Sequence, residues 1–138
     1  MRQRLTLFLI FMVLAVLPAH ADFSTDALIT RFAGTGTGSY TGDGGPAVSA
    51  TLNVPQQITT DAAGNLYITD RNNAVIRMID TNGVITTVAG GGTSTDNNIP
   101  ATDAQLVSPA GVVVDAAGNI FIGDSADQTE VPEIRMGG

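Results

Sequence analysis

The sequence predicts an all-β fold made of small four-stranded antiparallel sheets stacked face against face. Three observations predict it: a block that occurs twice, short β-branched and aromatic runs punctuated by turn residues, and strands that are apolar on both faces. The block Asp61-Ala62-Ala63-Gly64-Asn65-Leu66-Tyr67-Ile68-Thr69-Asp70 returns as Asp115-Ala116-Ala117-Gly118-Asn119-Ile120-Phe121-Ile122-Gly123-Asp124, an offset of 54 residues. The same offset pairs Pro46-Ala47 with Pro100-Ala101, Ala50 with Ala104, Leu52 with Leu106 and Pro55 with Pro109. Loops then shift the register: Leu28–Gly34 matches Val84–Gly90 at 56, and Ile76-Arg77-Met78 matches Ile134-Arg135-Met136 at 58. Repeat one covers about 46–90 and repeat two about 100–136, with an extra strand at 28–33.

Each copy reads as consecutive strands a, b, c and d. Strand a is Ile58–Asp61 and again Val112–Asp115. Strand b, Leu66–Thr69 and Ile120–Gly123, follows an Asp-Ala-Ala-Gly-Asn turn in which Gly64 or Gly118 supplies a positive φ. Strand c is Val75–Ile79 and, after a loop four residues longer, Ile134–Met136. Strand d is Val84–Val88, entered through Asn82-Gly83, a strong hairpin signal. Leu28–Ala33 is an isolated strand of the d type. Strand b puts Leu66 and Ile68 on one face and Tyr67 on the other, and Ile120, Ile122 and Phe121 repeat the arrangement. A half-solvated sheet would alternate apolar with polar, so these strands need cover on both sides. Stacked four-stranded sheets provide it, which makes each repeat a β-propeller blade. The chain holds two blade-equivalents, and as a monomer it is expected to be an incomplete propeller.

The N-terminus carries a different signal. Arg2 and Arg4, the apolar run Leu7–Leu17 and the Ala19-His20-Ala21 site mark residues 1–21 as a cleaved secretory signal, leaving 22–138 as the propeller segment. The apolar run is well short of the roughly 20 residues that a bilayer span needs. The expected location is secreted, periplasmic or extracellular, with no membrane span.

Beyond residue 21 the chain keeps four arginines against 13 acidic residues, a formal charge of −9, with no Lys, His, Cys or Trp. Such a surface offers no clustered cations for nucleic acid or anionic lipid. Without His and Cys there is no Ser-His-Asp triad, thiolate nucleophile or ordinary zinc site, and without Lys no Schiff base or P-loop lysine. Carboxylate, hydroxyl and arginine chemistry remain, so the chain is read as not an enzyme. Missing Trp also excludes a WD-type repeat, and missing Cys excludes disulfide stabilisation.

The residues Phe32-Ala33-Gly34-Thr35-Gly36, Tyr40-Thr41-Gly42-Asp43-Gly44-Gly45-Pro46-Ala47, Leu52-Asn53-Val54-Pro55, Asp61–Asp70, Ile76-Arg77-Met78-Ile79-Asp80 and Gly83–Gly90 resemble the NHL repeat of six-bladed propellers. The likeness runs from Leu28 to Met136 and is strongest in the first repeat. Gly90–Pro100 is shorter than Gly34–Pro46 and lacks Gly-Asp-Gly-Gly, and Ser125–Glu133 is longer and more acidic than its counterpart. The resemblance implies a binding or scaffold module that presents a rim surface to a protein or carbohydrate ligand. The alternative it leaves open is part of a calcium-dependent, lactonase-like propeller hydrolase. No cofactor is expected, and calcium has no support of its own.

Tyr40, Asp43 and Arg71 are the candidate binding residues, all on loops expected at the rim; no catalytic or metal-ligating residue is assigned. The glycines around Tyr40 and Asp43 also fit a compact inter-blade connection. Asp61, Asp70, Asp115 and Asp124 lie beside turns, where their carboxylates are expected to accept backbone N–H bonds. Arg77 and Arg135 occupy equivalent places in strand c and are expected to pair with blade carboxylates. Eight strands make two blades if Leu28–Ala33 completes the last one, and two blades cannot close a ring. The chain is therefore expected to be a fragment of a larger propeller, or a unit that joins head to tail, three copies making six blades.

Overall fold

The computed structural model describes residues 28–125 and 133–134, the last two as backbone only. The first sheet contains β1 (Gly45–Pro46), β2 (Pro55–Thr60), β3 (Leu66–Asp70), β4 (Val75–Ile79) and β5 (Val84–Gly90), in the order β1-β5-β4-β3-β2. The second contains β6 (Pro109–Val114), β7 (Ile120–Asp124) and β8 (Glu133–Ile134), side by side in that order. Every pairing is antiparallel. Strands β2 to β5 are the expected a, b, c and d of one blade, and β6 to β8 are a, b and c of the next. The chain is all-β, two blades of an incomplete propeller.

In the first repeat strand c has the bounds that its β-branched run predicts; in the second it begins one residue earlier, at Glu133, with 135 and 136 outside the described residues. Strand b takes in one more residue in each copy, Asp70, which pairs with Val75, and Asp124. Strand d runs on to Gly90 because Ala89 and Gly90 pair with Ile76 and Val75. Strand a differs at both ends. It starts at Pro55 or Pro109, since an edge strand tolerates a proline at its first position, and a bulge follows before Ile58 or Gly111. It ends before Asp61 or Asp115, whose carboxylate folds the turn instead. Asp61 Oδ1 accepts the Ala63 and Asn65 N–H groups at 2.9 Å, and Asp115 Oδ1 accepts those of Ala117 and Asn119. Gly64 and Gly118 occupy the left-handed region of these turns, at φ 90° and 87°.

Residues 28–33 form no strand. A d strand exists only by pairing with a c strand, and among the described residues none lies beside this segment; Leu28, Ile29 and Phe32 are exposed. The outermost strand, β1, has no signal in the local sequence: Gly45 and Pro46 pair with Ile85 and Val84. Residues 1–21, Arg135 and Met136 lie outside the described residues. Among the described residues no helix is long and apolar enough to cross a membrane.

The core has two parts because the first sheet is apolar on both faces. Its trailing face, with Tyr67, Ile76 and Ala89, packs against Leu106, Val112, Ile120 and Ile122 of the second blade and forms the seam between them. Its leading face, with Ile68, Ile79 and Ile85, is covered by Ala47 and Ala50 of the incoming loop. The seam is also bonded at the inner edge, where Val112 N donates to Gln57 Oε1 at 3.2 Å. Each fully buried isoleucine contributes about 1.5–3 kcal/mol of transfer free energy. Ile122 is fully buried in the seam. Ile122→Ala is therefore expected to cost about 2–5 kcal/mol; a urea midpoint indistinguishable from that of the unchanged chain would contradict the seam as the main core.

Candidate functional site

The two ends of the blades differ. One end carries the tight turns 61–65, 80–83 and 115–119, whose side chains bond to their own backbone. The other gathers the long connections into strand a, residues 34–54 and 91–108, and the short turn Arg71–Asn73 between strands b and c. Arg71 lies at this second end and so does Tyr40, whose neighbour Ser39 accepts from Asn73. Asp43 lies farther along its connection, which then runs beside β5 toward the turn end, where Gly45 pairs with Ile85 and Ala47 N donates to the Gly83 carbonyl.

Tyr40 and Asp43 converge on one buried cation. Arg77 stands on the leading face of β4 and is fully buried. Its Nη2 donates to Asp43 Oδ1 at 2.6 Å and to the Thr41 carbonyl at 3.3 Å, while Nη1 reaches the Thr51 carbonyl and lies 3.7 Å from Asp70 Oδ2. The Tyr40 ring covers the guanidinium, its centroid 5.1 Å away, and the Tyr40 hydroxyl is 2.8 Å from Thr87 Oγ1. The arginine thus fastens the glycine-rich loop to the sheet. Gly42 permits the fit: at φ 95°, a Cβ there would lie 2.7 Å from Ala50 Cα. Among the described buried side-chain nitrogens and oxygens, Arg77 Nε is the one without a hydrogen-bond partner.

Arg71 is placed differently. Its Nε donates to Ser108 Oγ at 2.8 Å, so it bridges from the b–c turn of one blade to the lead-in of the next. Beside it, Asn72 is exposed and Asn73 donates to the Ser39 carbonyl and to Asp70 Oδ2. The expected pairing of Arg77 with carboxylates is present; Arg135 lies outside the described residues. The acids divide by position. Asp61 and Asp115 hold local turns. Asp70 and Asp124 instead accept from the lead-in chain, from Asn53 N at 2.7 Å and from Val107 N and Ser108 N at 2.7 and 2.8 Å. The 54-residue offset that relates Asn53 to Val107 also relates Asp70 to Asp124, and that is the sequence signal for this second bond type.

The electrostatics follow from these contacts. Bonds from the Asn65 side chain hold the Asp61 carboxyl below the usual range, those from Asn119 do so for Asp115, and the Val84 N–H does so for Asp80. Burial pushes the Asp70 carboxyl up, against the pull of its hydrogen bonds and of Arg77. Among the described residues no group of three or more His, Cys, Asp or Glu is arranged to hold a metal ion. A cleft of about 360 Å³ opens between Ala33–Gly38 and Leu52–Pro55. Val54 in its wall has φ 55°, a left-handed conformation that a β-branched residue adopts only under strain.

The teneurin NHL domain family matches residues 34–100. This chain carries NHL-type propeller repeats. The NHL segment is 37% identical over 105 residues to teneurin-1 of Gallus gallus and 49% identical over 49 residues to teneurin-4 of Homo sapiens. The first match covers 70% of this chain and 4% of the teneurin, the second 36% and 2%, so the chain spans a small fraction of these relatives. Among solved structures it superposes on an auxiliary nutrient binding protein from Bacteroides thetaiotaomicron with a TM-score of 0.53 and 27% identity, covering 67% of this chain and 25% of that one. A second protein from the same organism, whose name suggests a phosphatase, gives 0.59 at 24% identity, covering 77% and 26%, and supports the fold alone.

Two predictions follow from the buried arginine and the acids around it. Arg77→Ala strands the Asp70 carboxylate without its cation and is expected to cost about 3–5 kcal/mol, against less than about 1 kcal/mol for Arg71→Ala, where one seam bond is lost; equal urea midpoints for the two variants would contradict the assignment. The second concerns acid. Asp61, Asp80 and Asp115, with lowered folded values, contribute stability above the ordinary carboxylate pKa of 3.8 that is lost as pH falls through their folded values. Asp70, with a raised folded value, contributes in the opposite sense: its share is present below 3.8 and lost as pH rises through the folded value. Asp70→Asn should therefore steepen the loss of stability on acidification just above 3.8, and Asp61→Asn should flatten it below 3.8, in urea midpoints recorded against pH.

Proposed function

We propose that the chain is an exported NHL propeller segment that works as a binding or scaffold module, taking a protein or carbohydrate ligand at its loop end. The observation that carries this reading is the division between the two ends. At the turn end the acids are occupied with their own backbone, whereas the loop end presents exposed Tyr40 and Asn72, with half-exposed Asp43 farther along the same connection as Tyr40, on loops that Arg77 and Arg71 hold in place. Functional contacts concentrate on loops positioned by a rigid scaffold. Similarity to a nutrient binding protein supports the same class of role. Export rests on Arg2, Arg4, Leu7–Leu17 and Ala19-His20-Ala21. The module belongs to a ring of blades, six by resemblance, which either a longer chain or three copies of this one would complete.

The test is a screen of the purified chain on glycan and protein arrays, followed by hydrogen exchange with any ligand found. Protection at 38–43 and 71–73 is the expected result. Protection confined to the turns 61–65 and 115–119 would overturn the reading. A calcium titration followed by thermal melting separates the alternative, since a clear rise in Tm at millimolar calcium would favour the calcium-dependent hydrolase.

A further inference from the structure

The cleft at the loop end acquires a meaning when the two repeats are laid over one another. Its lining residues Ala33, Gly34, Leu52, Val54 and Pro55 are the counterparts of Ala89, Gly90, Leu106, Ser108 and Pro109. Those counterparts lie at the seam between the two blades, where Ala89, Leu106 and Pro109 are buried. A Cβ added to Gly90 would collide with the Ala74 carbonyl, just before the neighbouring strand c, and lie 3.1 Å from Val75 Cα, at its start. On Gly34 it would meet Leu52 Cδ1 at 3.6 Å and nothing from a strand c. The cleft is therefore half of a second seam.

The faces flanking it repeat the relation. On the leading face Ile58 is 62% exposed, whereas its counterpart Val112 in the closed seam is 1% exposed. On the trailing face of the second blade Val113 is 52% exposed, and its cross-strand partner Phe121 holds the place that Tyr67 fills in the closed seam. One polar pair changes at both of its positions. In the closed seam Arg71 donates to Ser108; one repeat on, the counterpart of Arg71 is Ser125, and the counterpart of Ser108 in the open cleft is Val54. The Arg71–Ser108 pair of the closed seam therefore has no counterpart across the open one, where Ser125 and Val54 stand instead.

Building on the ring reading above, we propose that the open seam is an interface for a second copy of this chain, joined head to tail. The trailing face of one copy, with Val113 and Phe121, seats on the leading face of the next, with Leu52, Val54 and Ile58. The surface is continuous with the closed seam and repeats its residues, so the closed seam is the template for what covers it. Such a contact is heterologous, and three chains close the six-bladed ring.

The test uses the full chain after export processing, in sedimentation equilibrium at several concentrations. The unchanged chain is expected at three times the chain mass. Ile58→Asp blocks the leading face and Val113→Asp the trailing face; each variant alone is expected at the mass of one chain, and an equimolar mixture at that of two, because each keeps one intact face. Both positions are exposed within one chain, so circular dichroism should show folded variants, and Val54→Asp is the second leading-face block if Ile58→Asp fails to fold. An unchanged chain that stays at the mass of one would overturn the proposal. So would a variant that still self-associates, which would mean like faces meeting, or a mixture that does not pair. Ligand protection at 71–73 is scored separately, so loss of assembly and loss of the binding role are distinguishable.

Discussion

A sheet that is apolar on both faces has to be covered twice, and that requirement organises this molecule. Tyr67 on one side of β3 and Ile68 on the other cannot both be satisfied by one packing partner. The trailing face solves the problem with a second blade, whose leading face, with Val112, Ile120 and Ile122, repeats the first blade's own. The leading face solves it with a loop, drawn over Ile68, Ile79 and Ile85 by Ala47 and Ala50. The loop closes that face only over Ile68, Ile79 and Ile85; toward strand a, Val54 and Ile58 stay exposed.

Covering a face with a loop brings polar backbone into the core, and Arg77 resolves the conflict. Its guanidinium donates to the carbonyls of Thr41 and Thr51 and to the Asp43 carboxylate and forms a longer ion pair with Asp70, while the Tyr40 ring lies over it. A buried charge is tolerated only when paired and bonded, and here the partners come from the loop and from strand b together. Tyr40 and Asp43 keep partial exposure while doing this, so the same side chains are both solvent-facing and part of an internal clamp.

The blades were legible in the sequence because the signal is local and repeated. The Asp-Ala-Ala-Gly-Asn turn, the apolar run of strand b and the β-branched run of strand c each fix their own geometry within about ten residues. What escaped depends on partners far away in the chain. Tyr40 and Thr87 are 47 residues apart, Asp43 and Arg77 34, and Arg71 and Ser108 37, and no periodicity links such pairs. The expected strand at 28–33 carries strand-like residues, but β structure is a property of pairs, and among the described residues it has no neighbour. The roles of Asp70 and Asp124 were half visible: acids beside turns were evident, whereas their reach back to the lead-in chain needed the fold.

If the seam is the organising contact, the two blades form one cooperative unit rather than two sheets that happen to touch. Native-state hydrogen exchange across a urea series measures this directly, through the opening free energies of the amides of Ile76 in the first blade and Ile122 in the second. The account predicts one shared opening free energy with the same urea dependence for both. Exchange of Ile122 through a separate, much lower-energy opening that leaves Ile76 protected would contradict it.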